Sequence, residues 1–470
     1  MTEVAKRRRW PRVMAGILSC LVLAATGAAA IGNYATTQVL GNVNAGTDGN
    51  FTGNQNLATP GAPINILLMG SDTRAGKNAK GYGHASEIAG ARSDTTILLH
   101  VSGDRTNALA VSIPRDTQVM LPTCKSKDGT TKGGHVSLFN EAFDDGGPGC
   151  TVRAVQDLTG LTVDHYVVVD FTGFKDIVNA LDGVEVCLKK DVHDKDAKLN
   201  LTAGEHIVRG DQALAFVRAR KQVGDGSDLS RIERQQEFLS SAVRKATSVG
   251  VVTNPTQLFQ VLGAVTKSLT TDPALANPDA MKELALNLTS LKPTDITFAT
   301  MPWRYDPTNP NRVVVIPSQA AELWKAIATD QQWPPPPTNG ADGKPLTAAP
   351  NSITVNYQNV SGVKGAALKA SQLLGSENYV TGTVTNGKTT GPSAILYNPN
   401  VSAQVEAART LGYATGIPTQ ATSKAKGDAI ILQVGTDVPT SVKAVVASAK
   451  QSLAAETAKP RTAAQTICSK

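Results

Sequence analysis

Two aspartates and a set of arginines carry the chemistry that can be read in this chain. They are Asp72 in Gly70-Ser71-Asp72-Thr73-Arg74, Asp94 in Arg92-Ser93-Asp94-Thr95, Arg115 in Ile113-Pro114-Arg115-Asp116, and Arg218 with Arg220 in Val217-Arg218-Ala219-Arg220. Paired carboxylates can hold magnesium or manganese, and magnesium takes one or two carboxylates together with substrate phosphates. Guanidiniums grip phosphate oxygens through two parallel bonds, which lysine cannot do. If these segments converge, the site is built for pyrophosphate. Singly, each also fits a plain Asp–Arg ion pair. The i, i+2 spacing of Arg218 and Arg220 predicts a strand with both on one face. A bound polyanion would relieve their repulsion. Ser230-x-x-Glu233 reads as a capping box, which places Arg231 and Arg234 on one face near a helix start, where anions are favoured. No phosphate-binding Gly-x-x-x-x-Gly-Lys-Ser/Thr loop occurs, and no Gly-x-Ser-x-Gly elbow ends a strand.

Several elements must position these groups. Short apolar runs bounded by turn residues predict strands over 64–69, 95–101, 108–113, 165–169 and 184–188. Helical patterns cover 150–158, 172–181 and 230–247. This mixture predicts a layered α/β/α domain with a mixed central sheet. Ligands of such sheets bind at the carboxyl ends of strands, and Asp72 and Arg115 stand just past two such ends. Two antiparallel strands would bring Asp72 and Asp94 to one sheet edge. A second, small α/β module begins at Ser352, with strands over 353–357, 393–397 and 429–434 and helices over 365–374 and 402–411. It lacks a dense set of ionisable groups, so binding or spacing is expected of it rather than catalysis. The expected order is a basic cytoplasmic tail (1–12), a membrane span (13–32), a flexible stalk (33–61), the catalytic domain (62–330), a proline-rich linker (331–350), the module (351–437) and an Ala/Lys-rich tail (438–470), part helix and part loose.

Composition narrows the function. The chain has 470 residues, 41% hydrophobic and only 4% aromatic, which disfavours a stacking surface for nucleic acid. Its net charge is +7, and the first twelve residues hold five basic groups against Glu3, so most of the excess lies there. The body is too weakly basic for DNA binding. Residues 13–32 carry no charge and are long enough to span a bilayer. Basic residues before the span predict a cytoplasmic N-terminus and an extracytoplasmic body. A cleaved signal ending near Ala28-Ala29-Ala30 is the rival reading. Cys20 falls inside the span, and Cys124, Cys150, Cys187 and Cys468 remain outside it. An even number of cysteines in an exported body suits disulfides, with three connectivities possible.

The motifs together resemble the LytR-CpsA-Psr family of bacterial cell-envelope proteins. The resemblance rests on Leu68-Met69-Gly70-Ser71-Asp72-Thr73-Arg74, Arg92-Ser93-Asp94-Thr95, Ser112-Ile113-Pro114-Arg115-Asp116, Asn140 in Phe139-Asn140-Glu141-Ala142-Phe143, Asp164-His165-Tyr166, Val169-Asp170-Phe171 and Gly183-Val184. It ends with Phe216-Val217-Arg218-Ala219-Arg220 and Asp228-Leu229-Ser230-Arg231-Ile232-Glu233-Arg234-Gln235. Val360-Ser361-Gly362-Val363 with Gly365 looks like the LytR C-terminal domain, and the cysteine pattern looks actinobacterial. The resemblance implies a membrane-anchored enzyme that moves a glycan from a polyprenyl-pyrophosphate carrier onto peptidoglycan, using magnesium. It implies Asp72 and Asp94 as metal carboxylates and Arg92, Arg115, Arg218 and Arg220 as the pyrophosphate grip. Arg74, Asn140, Arg231, Arg234 and Gln235 would line the same pocket, and Asp94 or Asp116 would serve as base. The lipid needs an apolar slot, for which Phe139, Phe143, Phe171 and Phe174 are candidates beside the ordinary core reading. Many members carry Lys-Ile/Leu-Asn where Leu138-Phe139-Asn140 stands, so a phosphate contact is lost or moved. A pyrophosphatase and a non-catalytic wall-binding or regulatory anchor are the alternatives. Cys124 and Cys150 flank one loop, which favours that pair and leaves Cys187 with Cys468 to tie the tail back.

Overall fold

The structure, a computed structural model, describes residues 44–46, 49–51, 61–71, 93–126, 128–219, 228–248, 255–289, 291–387, 390–447 and 460–465. Its main sheet is built from β1 (Asn44–Ala45), β2 (Ile64–Ser71), β3 (Ser93–Val101), β4 (Ala108–Ile113), β5 (His165–Asp170), β6 (Leu269–Thr271) and β7 (Ile296–Thr300). β2, β3 and β4 are successive antiparallel neighbours, while β5 joins β2 and β7 joins β4 in parallel. The sheet is therefore mixed. Its strands read as near-continuous apolar runs because both faces are covered. Leu67 and Met69 of β2 pack to one side with helices α1 (Glu141–Thr159) and α7 (Pro317–Ala328). Ile64 and Ile66 face the other side, towards α2 (Phe171–Ala180), α5 (Pro255–Ser268) and α6 (Pro278–Thr289). The expected three-layer arrangement is present.

Helix α1 starts earlier than the apolar pattern indicated and is broken at Gly146 and Gly147, just before Pro148. The break lets the chain fold around the Cys124–Cys150 disulfide. A Cβ on Gly146 would stand 2.8 Å from the Cys124 Cβ and 2.9 Å from the Cys150 Cβ. Cys187 is also disulfide-bonded. Cys468 lies outside the described residues.

Two local readings are corrected. The segment through Arg218 is not a strand but the end of helix α3 (Gly210–Arg218), closed by Ala219. Gln, Ala, Leu and Arg are good helix formers, and Ala213, Leu214, Ala215 and Phe216 are all buried, so packing overrides the i, i+2 appearance. Ser230 is not an N-cap, because helix α4 (Asp228–Ala246) begins two residues before it. The strand predicted over 184–188 is present, and it pairs with Gly204–Val208 as a ribbon apart from the main sheet.

The module contains β8 (Thr354–Asn359), α8 (Ala366–Ser376), β9 (Val380–Asn386), β10 (Ala394–Tyr397), α9 (Ser402–Thr415), β11 (Thr419–Ala421) and β12 (Ile430–Val434). Its sheet order is β9-β8-β12-β10-β11. The two outer strands were not anticipated. Both are threonine-rich edges without an apolar run. Leu346 and Ala348, within the proline-rich segment, sit in the module's core. Residues 438–447 form no helix; Val445 is buried in the same core, and Thr338 and Val446 are hydrogen-bonded to each other. The chain then returns to the main sheet, where β13 (Arg461–Thr462) adds antiparallel to β7 as its eighth strand. Among the described residues no helix is long and apolar enough to cross a membrane. The span expected over 13–32 lies outside them.

Candidate active site

A cavity of about 660 Å³ opens between the main sheet and helices α2 and α4. Its walls are apolar, from Leu68, Val167 and Val169 on the sheet to Phe174 on α2 and Phe238 and Leu239 on α4. Asp94, Asp170, Arg218, Arg231 and Gln235 also line it. A ring of polar groups on an apolar chamber excludes water from one part and concentrates charge in another, where electrostatic interactions are strengthened.

Each polar group has an identifiable support. Gly70 pairs with Thr95 and Ser71 with Ser93, so Asp94 occupies a bulge between two registers. A bulge re-aims a side chain that regular pleating would direct elsewhere. The Asp94 carboxylate accepts from Arg115 Nη1 at 2.6 Å. Arg115 follows the end of β4, and its carbonyl accepts from the Asn140 amide at 3.1 Å. Arg115 Nε stands 3.5 Å from the Asp116 carboxylate. Arg218 is the last residue of α3, where the helix dipole favours a cation. Its guanidinium lies 4.6 Å from the centre of the Phe171 ring. Arg231, only 3% exposed, donates to the Asp94 carbonyl at 3.2 Å. Gln235 donates to the Val217 carbonyl at 3.3 Å and so ties α4 to the end of α3.

The structure therefore brings Asp94, Arg115, Arg218, Arg231 and Gln235 into one region. Arg115, Asp116 and Asn140 do not line the cavity; Arg115 reaches it through its bond to the Asp94 carboxylate. The Asn140 side-chain oxygen is buried without a hydrogen-bond partner among the described residues. Arg234 does not line the cavity either; it donates to the Ala219 carbonyl and, at 3.4 Å, to Ser230 Oγ, which is a structural use. Asp72, Arg74, Arg92 and Arg220 lie outside the described residues. Of the four phenylalanines, Phe171 and Phe174 line the cavity, whereas Phe139 and Phe143 belong to the core beside the disulfide.

Two contributors were not singled out from the residues. Asp170 ends β5 and caps α2, accepting from the Gly173 amide at 2.7 Å, and the next residue supplies the ring under Arg218. An apolar run ending in Asp-Phe before a helical pattern was the available signal. Gln236 donates to Ser112 Oγ, the Ala299 carbonyl and Thr300 Oγ1 at 3.0, 3.0 and 3.2 Å, locking α4 onto β4 and β7. Nothing in its sequence context marks it.

The profile of the LytR_cpsA_psr family matches residues 33–329. The chain belongs to this family. A second profile, described as LytR cell envelope-related transcriptional attenuator, matches residues 352–437. The LytR_cpsA_psr segment holds the whole of the cavity, and the motif resemblance read from the sequence is thereby confirmed. The cell wall biosynthesis protein LcpA of Corynebacterium glutamicum is 30% identical over 469 residues, covering 90% of this chain and 85% of that protein. The polyisoprenyl-teichoic acid–peptidoglycan teichoic acid transferase TagT of Bacillus subtilis is 32% identical over 273 residues, covering 55% of this chain and 77% of TagT. Among solved structures, the LytR-Csp2A-Psr enzyme from Actinomyces oris aligns over 61% of this chain and 96% of its own, at 21% identity and a TM-score of 0.47.

Proposed function

We propose that this protein is a phosphotransferase that moves a glycopolymer from a polyprenyl-pyrophosphate carrier onto peptidoglycan, working outside the membrane to which residues 13–32 anchor it. The observation that carries the reading is an apolar chamber whose lining includes Arg218 and Arg231. An apolar chamber suits a lipid tail, and guanidiniums suit a pyrophosphate. The name of TagT, a polyisoprenyl-teichoic acid–peptidoglycan teichoic acid transferase, supports the same class of reaction, and that of LcpA supports a role in cell wall biosynthesis.

In the proposed reaction a peptidoglycan hydroxyl oxygen attacks the phosphorus next to the sugar. The new P–O bond forms as the bond to the bridging oxygen breaks, and polyprenyl phosphate leaves with that oxygen. Arg218, Arg231 and Arg115 would hold the phosphoryl oxygens where negative charge develops. Of the two carboxylates, Asp94 lines the cavity and Asp116 does not, which supports Asp94 as the group that takes the hydroxyl proton. A carboxylate beside a phosphate repels it unless a cation lies between them. Magnesium would supply that charge neutralisation, held by Asp94 and by Asp72 from outside the described residues. Among the described residues no cluster of three or more metal-binding side chains forms a cage, and magnesium completes its shell with water and phosphate oxygens. Holding the ion and taking the proton are separate duties for Asp94, and pH–rate profiles at several magnesium concentrations distinguish them.

Arg218→Ala tests the reading. Transfer of a labelled prenyl-pyrophosphate glycan to purified peptidoglycan should fall by roughly a hundredfold or more, with thermal unfolding unchanged. Normal transfer by this variant would overturn the assignment. Release of free glycan phosphate at the same rate with and without peptidoglycan would replace it with a pyrophosphatase.

A further inference from the structure

Helices cover one face of the C-terminal module; the other carries buried Leu396 and half-buried Ile431 beside a strip of polar side chains. Helices α8 and α9 both bury their apolar residues against the side of the sheet carrying Val355, Tyr357, Ile395, Ile430 and Leu432. Register places Asn356 beside Ile431, and Gln358 between Gln433 and Thr385, on the opposite side. There Asn356, Gln358 and Gln433 are half-buried, while Thr383 and Thr385 are exposed.

These side chains form an ordered ladder. Thr383 donates its amide and its hydroxyl to Asn356 Oδ1 at 2.9 and 3.0 Å. Gln433 Nε2 donates to Gln358 Oε1 at 3.0 Å. The arrangement needs Gly382, since a Cβ there would lie 2.3 Å from Asn356 Oδ1. Each bond uses an amide oxygen of Asn356 or Gln358 as acceptor. The amide N–H groups of both residues and the Gln433 oxygen keep their capacity for another partner.

We propose that this polar strip binds an uncharged glycan strand. None of Asn356, Gln358, Thr383, Thr385 and Gln433 is ionisable, so a nucleic acid or an anionic membrane finds no counter-charge here. Hydroxyl and acetamido groups both donate and accept, as do amides and threonine hydroxyls, and fixed amides lose little freedom on binding. The module is fastened to the catalytic domain through Ser318 and Glu377 and through Arg304 and Ser376, at 3.1 and 3.4 Å. The choice of glycan among neutral polyols rests on the transfer reading above, but binding does not require transfer.

Calorimetric titration of the full chain with a β-1,4-linked N-acetylglucosamine hexamer tests the proposal. Saturable binding is expected for the wild-type chain and equally for Arg218→Ala. Asn356→Ala should weaken it by roughly tenfold, the loss of one or two net hydrogen bonds. The volume-preserving double variant Gln358→Met/Gln433→Met should do the same while unfolding at the wild-type temperature, which covers the case in which Asn356→Ala disturbs the register shift between Val355 and Tyr357. Absent binding, unchanged affinity in both ladder variants, or loss of binding in Arg218→Ala would overturn it. So would concentration-dependent self-association in sedimentation that both ladder variants abolish, because the occupant would then be a second copy of this chain. Intact sugar binding without any transfer would remove the transfer reading and leave this one standing.

Discussion

Helix α4 carries arginines near its start and again near its end, and the two groups are completed in opposite ways. At the start, Arg231 lines the cavity and donates to a backbone carbonyl. Towards the end, the chain itself fills the space with a carboxylate and a strand. Glu237 is 3% exposed, takes a hydrogen bond from the Cys187 backbone, and faces Arg461, Arg244 and Arg234. Arg244 donates to the Ala463 and Gln465 carbonyls at 2.6 and 3.1 Å, and Ala463 is fully buried. A charge group that opens on a chamber is suited to an anion from outside. One sealed by the protein's own carboxylate is structural. The sharpest break of this contrast is to replace one arginine from each group. Arg231→Met should lower transfer by roughly a hundredfold, whereas Arg244→Met should leave transfer per folded molecule within about threefold and lower the unfolding free energy by about 1–3 kcal/mol. Transfer assays and chemical denaturation of both variants check this, and equal losses of transfer would dissolve the distinction.

The sealed end depends on the returning tail, so a charge placed in the seal should act on stability alone. Ala463 packs with Ile97, Ala110 and Phe298 against the sheet. Ala463→Asp would bury a carboxylate in that cluster and should cost about 3 kcal/mol or more, undocking the tail strand. Hydrogen exchange should then rise at residue 463, whose amide donates to the Ile296 carbonyl of β7. Protection unchanged in this variant would show that the strand does not anchor the tail.

The two ends of α4 were unequally legible in the sequence. Arg231 stood within a motif run, and β2 to β5 were visible as apolar runs with polar residues at their ends. The family resemblance followed from that order. The helical state of Arg218 was hidden because a short Val-Arg-Ala-Arg segment reads equally as a strand, and only the burial of Ala213 to Phe216 decides it. Glu237 looked like any helix glutamate. Its partner Arg461 lies 224 positions away, and the two-residue strand carrying it has no periodicity to detect. Long-range pairing of short elements is set by tertiary packing, which local pattern cannot report.

A smaller, pH-dependent effect distinguishes the sealed cluster from the open one. Burial pushes the Glu237 carboxyl up to about 7, and this outweighs the opposing pull of Arg461, Arg244 and Arg234. The folded chain thus keeps a proton that the unfolded chain releases above its ordinary value of 4.5. The sign follows: the favourable contribution is complete below the unfolded pKa and is lost as pH rises through about 7. The slope from this group is at most about 1.4 kcal/mol per pH unit. Glu237→Gln keeps the shape and removes the proton exchange. Denaturation of wild type and variant at several values between pH 5 and 8 should show a shallower fall for the variant. Parallel curves would mean that Glu237 does not titrate in this window.

The smallest effect should come from Phe171, which lines the cavity and carries the Arg218 guanidinium on its ring. Its ring face attracts the guanidinium at 4.6 Å. A cation over an aromatic face is worth about 0.5–2 kcal/mol, more when water is excluded. Phe171→Leu keeps an apolar side chain against the cavity wall but removes the negative ring face. Arg218 would retain its charge and its place at the end of α3 while losing the platform that fixes the fork. Affinity for a prenyl-pyrophosphate ligand should weaken by a few-fold to about tenfold. In the Arg218→Ala background the same replacement should change affinity little, because the ring then has no guanidinium to hold. A double-mutant cycle by calorimetry measures this coupling. An equal loss from Phe171→Leu in both backgrounds would reassign the ring to the apolar wall alone.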